Sequence, residues 1–185
     1  MERLLPASTA LLIVDVQETL AAAMPEATLA ELVRNAGILL ESAEALGVTV
    51  VASEQYPKGL GPTLPAVASK LGAMGVAPRP KMAFDACSEL GIARALADAG
   101  VRSVVVLGME AHVCVFQTAR ELVKRGYGTY VVADAVASRS EENRRIGLSL
   151  CEKAGAIVTG TESVVFDWLE HAGTGAFKAI SKLVR

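Results

Sequence analysis

The sequence predicts an α/β fold in which a six-stranded parallel sheet lies between two layers of helices. Six short segments are rich in β-branched residues, and longer segments with helical periodicity separate them. Most of the short segments are continuously apolar, which is typical of strands that helices cover on both faces. The repeated order of helix, glycine and strand therefore indicates βαβ units wound into one sheet.

The strands are predicted from the apolar runs. They span residues 10–16, 48–53, 76–80, 103–108, 129–134 and 156–160. The third is the least regular of them, because Pro78 and Pro80 lack the N–H group that a paired strand donates.

The helices are predicted from apolar residues that recur every three or four positions. In the first, Leu29, Leu32, Ala36 and Leu40 share one face, and Gly47 is placed to end the helix. Further helices with a terminal glycine fall within residues 88–100, 115–126 and 140–155.

Two segments depart from this alternation. Residues 53–75 are rich in glycine and proline, and we expect a long loop there, which inside a compact domain is usually functional or mobile. Residues 174–185 predict a weakly amphipathic helix that docks on the body of the protein or on a neighbouring subunit.

The composition fits one domain over residues 1–185 and argues against several classes of protein. The net charge is −2 with both signs well mixed, so no basic stripe indicates nucleic-acid binding. No apolar run approaches the ~20 residues that a membrane-spanning helix needs. The apolar share is 52% and the mean hydropathy is +0.40, which predicts a sizeable core or a surface buried in a homo-oligomer, a dimer or tetramer.

Cysteine usage indicates a reducing compartment. The three cysteines have neither the number nor the spacing of a disulfide framework or a zinc site. The N-terminal segment also lacks the basic start of a signal peptide. We therefore expect a cytoplasmic protein without a cofactor or metal.

Polar residues follow several of the predicted strands, where ligands bind in open parallel sheets. Asp15 ends the first strand, Lys81 follows the third, Asp134 ends the fifth, and the stretch "GMEAHV" leads from the fourth strand to Cys114. Taken singly, Asp15 could cap a turn, Lys81 could be a solvated lysine and Cys114 an inert core thiol. Together they predict a site where a carboxylate, an ammonium and a thiol meet.

Such a site suits nucleophilic catalysis. A free thiol has a pKa of about 8.5, so little of it is thiolate at neutral pH. A helix N-terminus and an ammonium both favour the thiolate, and a carboxylate can accept the thiol proton and return it to a leaving amine. Backbone N–H groups ahead of Cys114 are placed to form an oxyanion hole.

Four segments carry a resemblance to a known family: "LLIVDVQ" with Asp15, "PKMAFDA" with Lys81, "GMEAHVCVFQTARELVKRGY" with Cys114, and "VVADAVASRSEENR". On these segments the chain resembles, over nearly its whole length, the isochorismatase-like cysteine hydrolases, which include nicotinamidases and N-carbamoylsarcosine amidase. The third segment is the most specific. The resemblance implies a Rossmann-like three-layer sandwich with a six-stranded parallel sheet, in agreement with the prediction from the residues.

The resemblance also implies roles for individual residues. Cys114 would be the nucleophile, Asp15 the general base and acid, and Lys81 their charge partner. A cis peptide bond would join Met109 and Glu110, and the backbone N–H groups of Glu110 and Cys114 would face the oxyanion. The residues that match pocket-lining positions, loosely, are Gln17, Leu20, Tyr56 and Phe84.

Two departures from the family narrow the function. Nicotinamidases carry an Asp-x-His metal site after the second strand, where this chain has "SEQYPKGLG", and the chain's two histidines, His112 and His171, lie far apart. We therefore predict no catalytic metal and no nicotinamidase activity. The founding isochorismatases lack the cysteine and cleave a vinyl ether, so Cys114 argues against that reaction too. The stretch "EQYPKGLG" resembles a subgroup of isochorismatase-domain hydrolases.

The predicted function is metal-independent hydrolysis of a small amide-type C–N substrate through Cys114, Asp15 and Lys81, with a thioester intermediate. Two alternatives stay open: a redox-responsive or ligand-binding protein with an activated cysteine, and a mainly structural oligomer subunit. Asp134 is assigned a structural role in holding the loop after it, and "SRSEE" predicts a helix N-cap.

Overall fold

The computed structural model describes residues 3–184, and its strands form one parallel sheet. The strands are β1 (Thr9–Val14), β2 (Thr49–Gln55), β3 (Arg79–Lys81), β4 (Ser103–Met109), β5 (Gly128–Ala137) and β6 (Ile157–Thr159). Every neighbouring pair is parallel, in the order β3-β2-β1-β4-β5-β6. The predicted six-stranded parallel sheet is therefore confirmed.

Helices cover both faces of this sheet. They are α1 (Glu18–Ala21), α2 (Glu26–Leu46), α3 (Pro57–Leu60), α4 (Pro65–Ala73), α5 (Leu90–Asp98), α6 (Phe116–Lys124), α7 (Glu141–Lys153), α8 (Thr161–Leu169) and α9 (Gly175–Ile180). Leu11 and Leu12 of β1 belong to separate apolar clusters on opposite sides of the sheet, which confirms the three-layer arrangement. Within residues 3–184, no helix is both long and apolar enough to cross a bilayer.

The apolar runs located the strands but not their ends. β5 continues to Ala137, past the predicted end at residue 134, so Asp134 lies inside the strand rather than at its end. The third strand is Arg79–Lys81 rather than residues 76–80, and among the described strands it pairs only with β2. An edge strand tolerates Pro80 because one of its sides donates no ladder hydrogen bonds.

Residues 53–75 are not the long loop that the sequence predicted. The first three complete β2, and helices α3 and α4 occupy most of the rest. Pro57 and Pro65 begin these two helices, at positions where a missing N–H costs no helical bond. The prolines that suggested a loop therefore mark helix starts.

The predicted end of α2 agrees with the structure, whereas the predicted bounds of the tail helix do not. α2 ends at Leu46, and Gly47 takes the left-handed conformation with φ 69°, as predicted. The predicted tail helix is shorter than 174–185, since α9 covers Gly175–Ile180 and Arg185 lies outside the described residues. α9 packs on α2 and α8 and buries Ile180, so this tail docks on the body of its own chain.

Candidate active site

Asp15, Lys81 and Cys114 meet at the carboxyl edge of the sheet. The chain leaves β1 for β2 on one side and reaches β4 on the other, so a crevice is expected beyond β1, where the strand order reverses. Asp15 follows β1, and Lys81 ends β3. Cys114 lies in the Cys114 turn, the π-type turn Ala111–Val115 that follows β4. The Asp15 and Lys81 side chains are fully enclosed, and Cys114 is 5% exposed.

Asp15 is held from both sides of its carboxylate. Its backbone takes the left-handed conformation with φ 53°, which aspartate tolerates better than most residues. Oδ1 accepts a hydrogen bond from Ser53 Oγ at 2.7 Å, and Oδ2 lies 2.7 Å from Lys81 Nζ. The second contact is an ion pair that is not directed as a hydrogen bond, so among the described residues Oδ2 has no hydrogen-bond partner. Oδ2 is therefore the oxygen able to receive a further proton.

Lys81 is enclosed rather than solvated. Besides Asp15, its ammonium contacts Gln55 Oε1 at 2.7 Å and the carbonyl oxygens of Ala83 at 3.2 Å and Phe84 at 3.1 Å. A buried ammonium needs such partners, because an unpaired charge away from water is very costly. The cation is thus fixed beside the carboxylate.

Burial raises the pKa of the Cys114 thiol to about 12; the Asp15 charge adds to the rise, and the Lys81 charge opposes it. The sequence predicted the opposite direction. Loss of hydration outweighs the effect of the ammonium on the pKa, and Cys114 lies inside the Cys114 turn, ahead of α6, rather than at the start of that helix. The raised pKa favours the neutral thiol over the thiolate in this site.

Two glycines allow the close packing around this site. Gly108 in β4 has φ 129°, and a β-carbon there would lie 1.9 Å from the carbonyl oxygen of Val14. Gly147 in α7 lies against the Cys114 turn, where a β-carbon would stand 2.4 Å from the carbonyl carbon of Ala111. Each contact excludes a larger residue, so β4 can approach β1 beside Asp15 and α7 can support the turn that carries Cys114.

The backbone at Glu110 has the conformation that the resemblance implied. The Met109–Glu110 peptide bond is cis. Glu110 Oε1 accepts hydrogen bonds from the backbone nitrogen of Arg139 at 3.2 Å and from its Nε at 3.0 Å. The side chain of Glu110 is therefore engaged with the segment after β5. Binding of an oxyanion by the N–H groups of Glu110 and Cys114 stays a prediction.

Gln17, predicted to line the pocket, is instead enclosed within the protein. Its Nε2 donates to the carbonyl oxygens of Gln55 at 3.1 Å and Gly61 at 2.6 Å, and its Oε1 accepts from the Gln55 backbone nitrogen at 2.7 Å. Both amide protons are used, and the residue has no exposed surface. Gln17 therefore ties the segment after β2 to the end of that strand.

The other three predicted pocket residues differ in exposure. Leu20 packs against the apolar core. Tyr56 and Phe84 remain 47% and 52% exposed. Both lie next to Lys81, since Tyr56 donates its N–H to the Lys81 carbonyl at 2.9 Å and the Phe84 carbonyl accepts from the ammonium. A cavity of about 380 Å³ opens there, lined in part by Pro57, Lys81 and Met82.

A larger cavity does not belong to this site. It has about 680 Å³ and lies at the opposite edge of the sheet, where Ser103 begins β4 and Gly128 begins β5. Because ligands of parallel sheets bind at the carboxyl ends of the strands, we give it no part in the chemistry of Cys114.

Sequence reasoning missed Ser53 and Gln55, which contact Asp15 and Lys81 directly. Their position in the sequence could have identified them, because the polar stretch "SEQ" ends the second strand just as Asp15 follows the first.

Asp134 and Ser140 each hold the start of a helix. Asp134 Oδ1 accepts from the backbone nitrogen of Thr161 at 2.8 Å and from its hydroxyl at 2.9 Å, so it holds the start of α8 rather than the loop after β5. Ser140 Oγ accepts from the Asn143 nitrogen at 3.2 Å and caps α7, as predicted.

A family model and curated relatives match this chain by sequence, and both indicate the same family. A model of the isochorismatase domain family matches residues 9–163. Isochorismatase domain-containing protein 2 of Bos taurus is 37% identical over 185 residues, which is 99% of this chain and 86% of that protein. The protein of the same name in Danio rerio is 36% identical over 183 residues, 98% of this chain and 89% of that protein.

Solved structures match over similar lengths. The structure of MAR1 ribonuclease from Caenorhabditis elegans has a TM-score of 0.90 and 33% identity, covering 99% of this chain and 92% of its own. YcaC from Pseudomonas aeruginosa, solved with hexane-2,5-diol and covalent acrylamide, has a TM-score of 0.88 over 98% of this chain and 91% of its own. Its identity is 21%, so this likeness concerns the fold alone.

Proposed function

The chain belongs to the isochorismatase family, and on that premise we propose that it is a metal-independent cysteine hydrolase that cleaves the C–N bond of a small amide. Its family and its hydrolase neighbours support a hydrolase. The observation that carries the finer proposal is the enclosed cluster in which Asp15 is paired with Lys81 at 2.7 Å and both act on the Cys114 thiol.

In the first half of the reaction, Cys114 Sγ attacks the amide carbonyl carbon while Asp15 Oδ2 takes the thiol proton. The carbonyl electron pair moves to the oxygen, which the N–H groups of Glu110 and Cys114 stabilise. When the pair returns, the C–N bond breaks and Asp15 passes its proton to the leaving amine. The product of this half is a thioester on Cys114.

In the second half, Asp15 takes a proton from water, and the resulting hydroxide attacks the thioester carbon. The C–S bond breaks, the acid leaves, and the proton returns to Cys114. One amide and one water thus become one acid and one amine. Throughout, Lys81 offsets the negative charge that alternates between the carboxylate and the sulfur.

The test is a panel of small primary amides assayed for ammonia release, together with intact-mass detection of an acyl adduct. We expect Cys114→Ala to abolish both signals. Cys151→Ala is the matched control, since Cys151 is also buried but lies in α7, and neither Asp15 nor Lys81 contributes to the shift of its pKa. A Cys114→Ala protein that still turns over the amide would contradict the covalent mechanism.

The rival functions have their own measurements. A redox sensor needs an accessible thiolate, whereas the raised pKa of Cys114 keeps the thiol protonated. Peroxide titration should therefore oxidise Cys114 slowly. RNA belongs in the substrate panel because a relative 33% identical is described as a ribonuclease. A net charge of −2 disfavours extended contact with phosphates, and we propose no nucleic-acid partner.

We further propose that the chain forms a homo-oligomer in a reducing compartment. Exposed apolar side chains support self-association, among them Met82 at 71% and Leu90 at 67%. The YcaC gene product of Escherichia coli, which shares the fold, is described as an octameric hydrolase. Cys87, Cys114 and Cys151 are all free and buried, which fits a reducing cytoplasm. Light scattering of the purified protein would measure the number of subunits.

A further inference from the structure

Gln55 closes β2 and contacts the segment of Lys81 at two points. Its Oε1 accepts from the Lys81 ammonium at 2.7 Å, and its Nε2 donates to the carbonyl oxygen of Met82 at 2.8 Å. Gln55 is buried, and register pairs it directly with Lys81 across the two strands. One amide therefore fixes both the end of the lysine side chain and the backbone that follows it.

The position of Gln55 is itself fixed from the other side. Gln17 accepts from its backbone nitrogen at 2.7 Å and donates to its backbone carbonyl at 3.1 Å. The backbone of Gln55 thus cannot shift without breaking two buried hydrogen bonds. The backbone that carries the side-chain amide is therefore fixed beside Lys81.

The partners of Lys81 differ in charge. Asp15 is its anionic partner, while Gln55 and the carbonyls of Ala83 and Phe84 are neutral. Of the three neutral oxygens, that of Gln55 is the nearest and the only one on a side chain. A neutral acceptor orients the ammonium without competing for its charge, which stays available to the carboxylate and the sulfur.

We propose that Gln55 is a positioning residue that holds the Lys81 ammonium against Asp15 and Cys114 while leaving its charge undivided. The inference rests on the proposed function for its effect on turnover. Its effect on the Cys114 thiol can be measured without any substrate.

The decisive variant is Gln55→Glu, which keeps the shape and the acceptor but adds a negative charge. The second carboxylate competes with Asp15 for the ammonium and raises the local negative potential. We expect alkylation of Cys114 by iodoacetamide, followed by intact mass and peptide mapping, to slow by about tenfold at neutral pH, the effect of one pKa unit. The pH profile of alkylation should move to higher pH by the same amount.

A second variant, Gln55→Met, removes the acceptor and adds no charge. With p-nitrophenyl acetate as the acyl donor, we expect kcat to fall by about tenfold or more and KM to change by less than about twofold. The reason is that Gln55 acts through Lys81, because its side-chain amide contacts the ammonium and the Met82 carbonyl. If the substitution only unfolded part of the protein, the fraction of active molecules would fall. The pH profile of the molecules that remain folded would then be unchanged.

Glu54→Gln is the matched control on the same strand. Glu54 Oε1 accepts from the Thr63 nitrogen and hydroxyl, both at 2.7 Å, and the structure gives it no contact with Lys81. We expect the free energy of unfolding of this variant to fall. The pH profile of its alkylation should superimpose on that of the protein without a substitution. The inference is overturned if Gln55→Glu also superimposes, or if Glu54→Gln shifts the profile equally. A protein that hydrolyses no ester or amide would end the proposed function, and the alkylation shift would still decide the role of Gln55.

Discussion

Gly147 of α7 lies against Ala111 with room for a hydrogen atom and none for a methyl group, since a β-carbon would stand 2.4 Å from the Ala111 carbonyl carbon. We expect Gly147→Ala to push α7 and the Cys114 turn apart. The free energy of unfolding should fall by about 1–3 kcal/mol, as for other overpacked sites. Urea denaturation measures this change, and the displaced turn should also lower the rate of amide hydrolysis.

Gly72→Ala provides the control for this prediction. Gly72 lies in α4, is exposed, and has no atom within 4 Å of the place where its β-carbon would be. Alanine should therefore stabilise the protein by about 0.5–1 kcal/mol through helix propensity. If both variants gained stability alike, the close contact at Gly147 would have no energetic consequence.

Ser53→Ala should destabilise the protein by about 1–3 kcal/mol, because it leaves Oδ1 of Asp15 buried without its hydroxyl donor. Ser42 offers a matched comparison, since it is equally buried but its hydroxyl has no partner among the described residues. Ser42→Ala should be neutral or stabilising. Equal losses in urea denaturation would show that the bond from Ser53 to Asp15 contributes nothing specific.

Lys81→Met should cost about 3–5 kcal/mol of unfolding free energy, because it leaves the carboxylate of Asp15 enclosed without a cation. Adding Asp15→Asn to this variant removes the orphaned charge and should recover much of the loss. Amide hydrolysis should be absent from both proteins. A double variant no more stable than Lys81→Met would mean that packing, rather than charge, causes the loss.

Alkaline pH should destabilise the protein through its thiols. Burial is the largest cause that raises the pKa values of Cys87, Cys114 and Cys151 to about 12. A thiol in the unfolded chain has a pKa of about 8.5, so between about pH 9 and 12 the unfolded chain releases protons that the folded chain retains. The free energy of unfolding therefore falls as pH rises, by up to about 1.4 kcal/mol per pH unit for each thiol.

Urea denaturation at a series of pH values above neutrality would measure this slope. The comparison must be made with Cys151→Ala, which removes one of the thiols and keeps every other ionisable side chain, so the difference between the two slopes belongs to Cys151. Its stability should fall less steeply with pH. Parallel slopes would contradict the contribution of buried thiols.

Predictions from the sequence were correct where a single physical rule decided the structure. Apolar runs predicted the sheet, and the rule that ligands bind beyond strand ends selected Asp15, Lys81 and Cys114, which the structure brings together. The extent of β3 and β5 escaped prediction, because pairing with a neighbour decides where a strand ends.

Other features depended on the assembled environment. The contact of Gln55 with Lys81 follows from the register of β2 against β3, which periodicity does not encode. The direction of the pKa shift at Cys114 follows from how completely the folded chain excludes water. A pattern of residues could name the charges around the thiol but not the cost of dehydrating it.

The order β3-β2-β1-β4-β5-β6 places β1, which precedes the other five strands along the chain, in the interior of the sheet. After β1 and β2 have left the ribosome, the far edge of β1 stays open until residues 103–109 follow. An apolar edge left open during synthesis is a template for pairing with other nascent chains. Substitutions in β4 would therefore first reduce the yield of folded protein by causing aggregation during synthesis. Their effect on the stability of the finished protein would come second.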